Sequence, residues 1–214
     1  MRKRLLLILA ALAAPLLAVG SASAHPHVWV KMVSVLVYAP DGSITGVRHA
    51  WTFDDMFSTY AIQGLGQKTK GSFSREELAP LAKVNVNSLK EFDYFTYGKA
   101  DGQDVKFTDP KDYWLDYKGE MLTLTFTLPL AAPVKAKTLN LEVYDPSYFV
   151  DFSFGEQNPV ALADAPDGCK ATFFRPKDMT VAQGKQLGEA FFNQLNSAEN
   201  WGAQFANKIL VQCP

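Results

Sequence analysis

The sequence is poor in the residues that usually carry chemistry, with three His and two Cys among 214 residues. The two cysteines lie far apart, so a Cys-x-x-Cys redox pair is excluded. No Gly-x-Ser-x-Gly elbow occurs, and Gly64-Leu65-Gly66-Gln67-Lys68-Thr69 lacks the Gly-Lys-Thr ending of a phosphate loop. The formal net charge is −1, which leaves no basic field for a phosphate backbone, so nucleic acid is not an expected partner. The longest apolar run, Leu5 to Val19, stops short of the ~20 residues that span a bilayer, and no later segment approaches that length. Carboxylates are plentiful, but their spacing sets no pair at glycosidase distance. A non-enzymatic role is expected.

What is present is a globular composition, 48% hydrophobic and 13% aromatic, behind an address. Arg2, Lys3 and Arg4 precede the apolar stretch, and Ala22-Ser23-Ala24 supplies a small-x-small cleavage pattern. Residues 1–24 therefore read as a signal peptide and 25–214 as one periplasmic domain with no membrane span. Removing the three leader cations leaves 18 Lys+Arg against 22 Asp+Glu. In an exported chain Cys169 and Cys213 are expected to form a structural disulfide.

The periodicity predicts an α+β fold, mainly β: an antiparallel β-sandwich-like core with two helical insertions. Residues 28–38 and 44–53 flank Ala39-Pro40-Asp41-Gly42 and predict a β-hairpin. Residues 121–128, 138–144 and 148–154 alternate, and shorter strands are expected near 93–98, 104–107, 112–117, 169–174 and 208–213. The last alternation places Tyr148, Val150, Phe152 and Phe154 on one face and Asp151 on the other. The first insertion, about 74–90, opens with a capping box at Ser74 and Glu77, and Pro80 predicts a kink or a later start. The second, about 180–196, carries Leu187, Phe191 and Leu195 on one stripe.

The most informative feature is the new N-terminus. Cleavage after Ala24 exposes His25-Pro26-His27, bringing a free amine and two imidazoles close together. Such nitrogen donors suit zinc, copper, nickel and cobalt. Pro26 has no amide proton, which blocks the square-planar copper/nickel mode that needs deprotonated amides. In a hairpin turning at Asp41-Gly42, paired residue numbers sum to about 83. His27 then lies near Asp54 and Asp55, either of which can add a carboxylate, and three nitrogens plus a carboxylate favour zinc. His49 pairs near Ser34, more than ~20 Å along the strand, and reads as a hydrogen-bonded core histidine.

These motifs, His25-Pro26-His27-Val28-Trp29-Val30, Trp51-Thr52-Phe53-Asp54-Asp55-Met56-Phe57-Ser58, Glu91-Phe92-Asp93-Tyr94-Phe95 and the run Leu141 to Phe152, together resemble one bacterial family. It is the domain-of-unknown-function family catalogued as "ABC-type transport system, periplasmic component". The resemblance covers essentially the whole mature chain. It implies a periplasmic metal-handling role for zinc, nickel or cobalt beside an inner-membrane permease of the nickel/cobalt type. The catalogue name suggests a two-lobed binding protein, but the chain lacks the repeated strand–helix alternation such lobes need. Relatives often carry an EF-hand-like stretch; here Gly66, Lys68 and Lys70 stand at the first, third and fifth positions, so calcium is not expected.

The leading expectation is a divalent-metal-binding accessory protein with His25, His27, Asp54 and Asp55 as candidate ligands. Two alternatives stand beside it. One is a copper oxygenase with an N-terminal histidine brace; the other is a metal-free interaction module built on Trp29, Trp51 and the aromatic run 144–154.

Overall fold

The computed structural model describes residues 26–66, 71–177 and 200–214. Its organising element is β1 (Val28–Tyr38), whose inward residues Val28, Val30, Met32 and Leu36 enter the core while the intervening side chains are more exposed. A strand with one apolar face must bury it against another layer. β1 does so from the middle of a mixed sheet. On one edge it pairs antiparallel with β2 (Ile44–Phe53), in the register Val30↔Phe53 and Ser34↔His49 that the turn position implies. The ladder slips at Val37/Tyr38, next to the turn.

The rest of this sheet is β6 (Met121–Val134), paired with β2, and β5 (Tyr113–Lys118) at the edge. The other edge of β1 is covered by two successive short strands. β8 (Val150–Phe154) lies along Val28–Met32 and β9 (Val160–Ala163) along Ser34–Val37, both parallel to β1. The second sheet has the order β10-β11-β7-β3-β4, formed by β10 (Lys170–Phe174), β11 (Asn207–Gln212), β7 (Thr138–Val143), β3 (Thr96–Ala100) and β4 (Gln103–Val105). Antiparallel pairing dominates, and the fold is α+β and mainly β, as the alternation predicts.

Two buried polar contacts tie the sheets together. Asn207 Nδ2 donates to Phe152 O at 2.6 Å, and His49 of β2 meets Thr96 Oγ1 of β3 at 3.3 Å. Around them Trp51, Leu124, Phe126, Leu141, Phe154 and Ile209 fill the interior.

α1 (Asp55–Ala61) follows β2, and α2 (Arg75–Leu89) packs against β5 through Leu78, Ala82 and Val86. The capping box at Ser74 and Glu77 is formed. Pro80, expected to kink or delay this helix, instead sits exposed within one continuous element starting at Arg75. The complete cap at the N-terminus offsets the one intrahelical bond that proline removes. The stripe predicted over 180–196 lies outside the described residues. Among the described residues no helix is long and apolar enough to cross a membrane.

Two other local expectations change. The strand expected near 93–98 begins at Thr96, because Lys90–Phe95 forms a tight 3₁₀-like turn. Within it Asp93, Tyr94 and Phe95 all have positive φ, of 50°, 54° and 49°, a conformation costing ~1–2 kcal/mol per non-glycine residue. Tyr94 Oη donates to Asp109 at 3.0 Å and Lys90 pairs with the same carboxylate at 2.6 Å, which holds the turn shut. Burial, then the acidic Asp109, pushes the Tyr94 phenol up to about 12. In the run 148–154, Phe152 and Phe154 enter the main core, but Tyr148 lies before the strand at φ 58° and stacks on Phe205 at 4.4 Å. Local backbone geometry overrides alternation there.

Cys169 and Cys213 are joined, closing a separation of 44 residues. On the chain-entropy account such a link contributes about 4 kcal/mol. The double variant Cys169→Ser, Cys213→Ser is expected to unfold in urea with a stability lower by up to that amount. An unchanged midpoint would show that the bridge does not constrain the unfolded chain.

Candidate metal centre

The candidate site is the leading end of β1. His27 is exposed, yet its backbone is fixed: its N–H donates to Phe149 O at 2.9 Å, and its ring packs on the Phe149 ring at 4.8 Å. The next rung is held from the opposite edge, where Trp29 N–H donates to Asp54 Oδ2 at 2.9 Å and Asp54 N–H donates to Trp29 O at 3.0 Å. The leading end of β1 is thereby seated between β2 and β8.

Asp54 follows the last residue of β2 and is the N-cap of α1. Its Oδ1 accepts from Phe57 N at 2.8 Å. An N-cap aspartate satisfies an orphaned helix donor, and both Asp54 oxygens are engaged by backbone N–H groups. Asp55, the first residue of α1, is exposed, and its Oδ1 accepts from Met56 N at 2.8 Å. Of the two carboxylates, Asp55 is the one that faces solvent. His25 lies outside the described residues. Among the described residues no three His, Cys, Asp or Glu side chains form a metal-holding group. His27, Asp54 and Asp55 by themselves do not form such a group.

His49 is sealed in the core with 0% exposure. Its Nδ1 lies 2.9 Å from Ser34 Oγ, and Thr96 Oγ1 donates to Tyr94 O at 2.8 Å. With the Thr96 proton committed there, His49 Nε2–H donates to Thr96 and Nδ1 accepts from Ser34. Burial pushes the imidazole down to about 3, so it remains neutral. Trp51 and Phe126 pack at 5.4 Å on its ring.

The loop that carries Phe149 is built on Asp145, which the alternation did not single out. This buried carboxylate accepts from Ser147 N and Ser147 Oγ, each at 2.8 Å, and from Val150 N at 3.0 Å. Gly202 seals the loop from outside. Its N–H donates to Pro146 O, and a Cβ there would lie 1.6 Å from Asp145 O. Asp151 projects to the other face of β8, as expected, and burial raises its carboxyl above the usual range against the opposing pull of Lys31 and Tyr148. Sequence reading also missed α1. Its signal was the pair Asp54-Asp55 ahead of Met56-Phe57-Ser58, a cap followed by an acid in the first turn.

A family model described as "Protein of unknown function (DUF1007)" matches residues 10–213. The chain belongs to this family. Among DUF1007-like relatives, an "Uncharacterized protein" of Haemophilus influenzae is 28% identical over 197 residues, covering 89% of this chain and 91% of that protein. An "Uncharacterized 15.5 kDa protein in trpE 3'region" of Spirochaeta aurantia is 31% identical over 103 residues, covering 48% of this chain and 73% of that protein.

Two predictions follow from this geometry. The unfolded imidazole titrates near 6.5 and the folded one near 3, so between these values the unfolded chain binds the extra proton. The His49 contribution is complete above about pH 6.5 and declines as pH falls towards 3. His49→Gln is expected to lower the melting temperature at pH 7.5 but to flatten its fall between pH 7 and 5. An equally steep fall in the variant would assign the acid sensitivity elsewhere. Separately, Asp54→Ala removes a helix cap and is expected to cost ~1 kcal/mol or more, read in urea unfolding, whereas Asp55→Ala should change stability little. Equal losses in the two would contradict the assignment of Asp54 as the cap.

Proposed function

We propose that this protein is an exported, periplasmic metal-binding accessory that takes a divalent transition metal, zinc in preference to nickel or cobalt, at its processed N-terminus. The observation that carries the reading is the position of His27: an exposed residue whose backbone N–H is bonded to Phe149 O immediately ahead of the β1–β8 ladder. A donor fixed in this way loses less freedom on binding than one on a frayed tail. Cleavage after Ala24 would place a second imidazole and a primary amine two residues away, and Asp55 offers a carboxylate from the first turn of α1, just beyond the neighbouring strand.

The donor types fit zinc, which accepts nitrogen and oxygen ligands in tetrahedral sets. His27 and His25 would hold the ion through ring nitrogens, with the amine as a third donor and Asp55 or water completing the set. Asp54 orients this end by fixing Trp29 and α1. The amine must lose its proton on binding, so affinity should rise with pH through the amine's range. A partner in the inner membrane, a permease of the nickel/cobalt type, is the transfer route that the family resemblance read from the sequence motifs implies.

The copper-oxygenase alternative needs a second imidazole from within the fold at the same metal. His49 does not serve, since it is buried and both its ring nitrogens are hydrogen-bonded.

Calorimetric zinc titration of the mature protein tests the reading. Relative to a chain starting at His25, one extra N-terminal residue is expected to weaken binding at least tenfold, and His27→Ala likewise. Equal affinity in all three forms would remove both the amine and His27 from the site.

A further inference from the structure

Next to the candidate metal end lies a second feature with a different chemistry. A cavity of about 480 Å³ opens between the first sheet, α1, α2 and the 145–150 loop. Its inner wall is Val28, Val30, Trp51, Phe53, Leu124 and Phe152. Its mouth is marked by Phe92 and Phe149, which are 49% and 45% exposed. The rings are braced against one another: Trp51 on Phe152 at 4.8 Å, Phe53 on Phe57 at 4.6 Å, and Phe92 on Phe95 at 5.3 Å.

We propose that this cavity is a binding site for a single-chain fatty acid, with the hydrocarbon inside and the carboxylate at the solvent-facing mouth. Three observations carry the assignment. The first is size: a cavity of ~150 Å³ accepts one benzene, so this one takes the bulk of a chain of roughly 14 to 18 carbons and is too small for a two-chain lipid. The second is polarity. Among the described lining residues Asp145 alone is ionisable, and both its oxygens are occupied by N–H and O–H groups of the loop. The polar groups at the rim, Asn85, Ser88 and Ser147, are uncharged, so nothing inside pairs with an ion and a charged head stays in water. The third is the way the mouth is built. Between Phe92 and the wall the turn holds Asp93, Tyr94 and Phe95 at positive φ, a conformation non-glycine residues disfavour, and it sets the Phe92 and Phe95 rings side by side along the cavity. Well-formed apolar pockets of this size with a few polar groups at the edge are typical of small-ligand sites. The inference stands on the cavity alone and is independent of the metal reading.

The test follows the tryptophan emission of the metal-free mature protein during titration with saturated fatty acids of about 8 to 18 carbons. Saturable one-to-one binding is expected, strengthening with chain length and levelling off once the cavity is full. Val150→Phe and Leu89→Trp fill the cavity from opposite walls, and each is expected to weaken palmitate binding at least tenfold while melting no lower than wild type. Affinity that keeps rising with chain length, or undiminished binding in a folded filled variant, would overturn the site. So would the absence of saturable binding at every chain length. The wild-type length series decides the question even if a filled variant does not fold.

Discussion

The pairing of β1 on both of its edges is the constraint from which the remaining features follow. Because β2 runs antiparallel on one side while β8 and β9 run parallel on the other, the strand is covered on both edges over most of its length, and its leading end is bonded from both sides. The same pairing orders its surroundings. Asp54 ends β2, bonds Trp29 and starts α1; Phe149 O receives His27 N–H just before β8 begins. The leading end of β1 becomes a fixed ledge, with a polar end outside and an apolar hollow behind it.

Polar groups in the interior are used sparingly and mostly with partners. His49 joins Ser34 on its own sheet to Thr96 on the other, and Asn207 bridges to Phe152 O. Asp145 satisfies one tight loop with both of its oxygens. Each such group specifies a single arrangement of the layers, because any slip leaves a buried donor or acceptor without its bond. Gly202 plays the complementary part, since no side chain fits where it meets Asp145 O.

Much of this was legible in the sequence, for identifiable reasons. The hairpin register followed from Asp41-Gly42, because a short turn fixes pairing along the whole ladder, and that register placed His49 opposite Ser34 and away from the N-terminus. The Ser74–Glu77 cap and the long alternation of β6 were local signals that tertiary structure reinforced. The missed parts are those in which distant residues decide. Nothing near Val150 or Val160 indicates that β8 and β9 would run parallel to β1. The positive φ values of Asp93, Tyr94 and Phe95 depend on Asp109, which anchors the turn from another segment. Tyr148 leaves the apparent alternation because Asp145 folds the chain back on itself. For the carboxylate proposed beside His27, the register pointed to Asp54 and Asp55, but the capping role of Asp54 came from α1, too short to show a period.

The most direct test of the metal account is nitrogen NMR of the imidazoles in the mature protein, recorded as zinc is added. With three histidines in the sequence each ring can be followed separately. The account predicts that the ring nitrogens of His25 and His27 shift together to saturation at one equivalent while those of His49 stay at the frequencies of a neutral, hydrogen-bonded ring. A His27 signal that does not move, or a His49 signal that does, would contradict it.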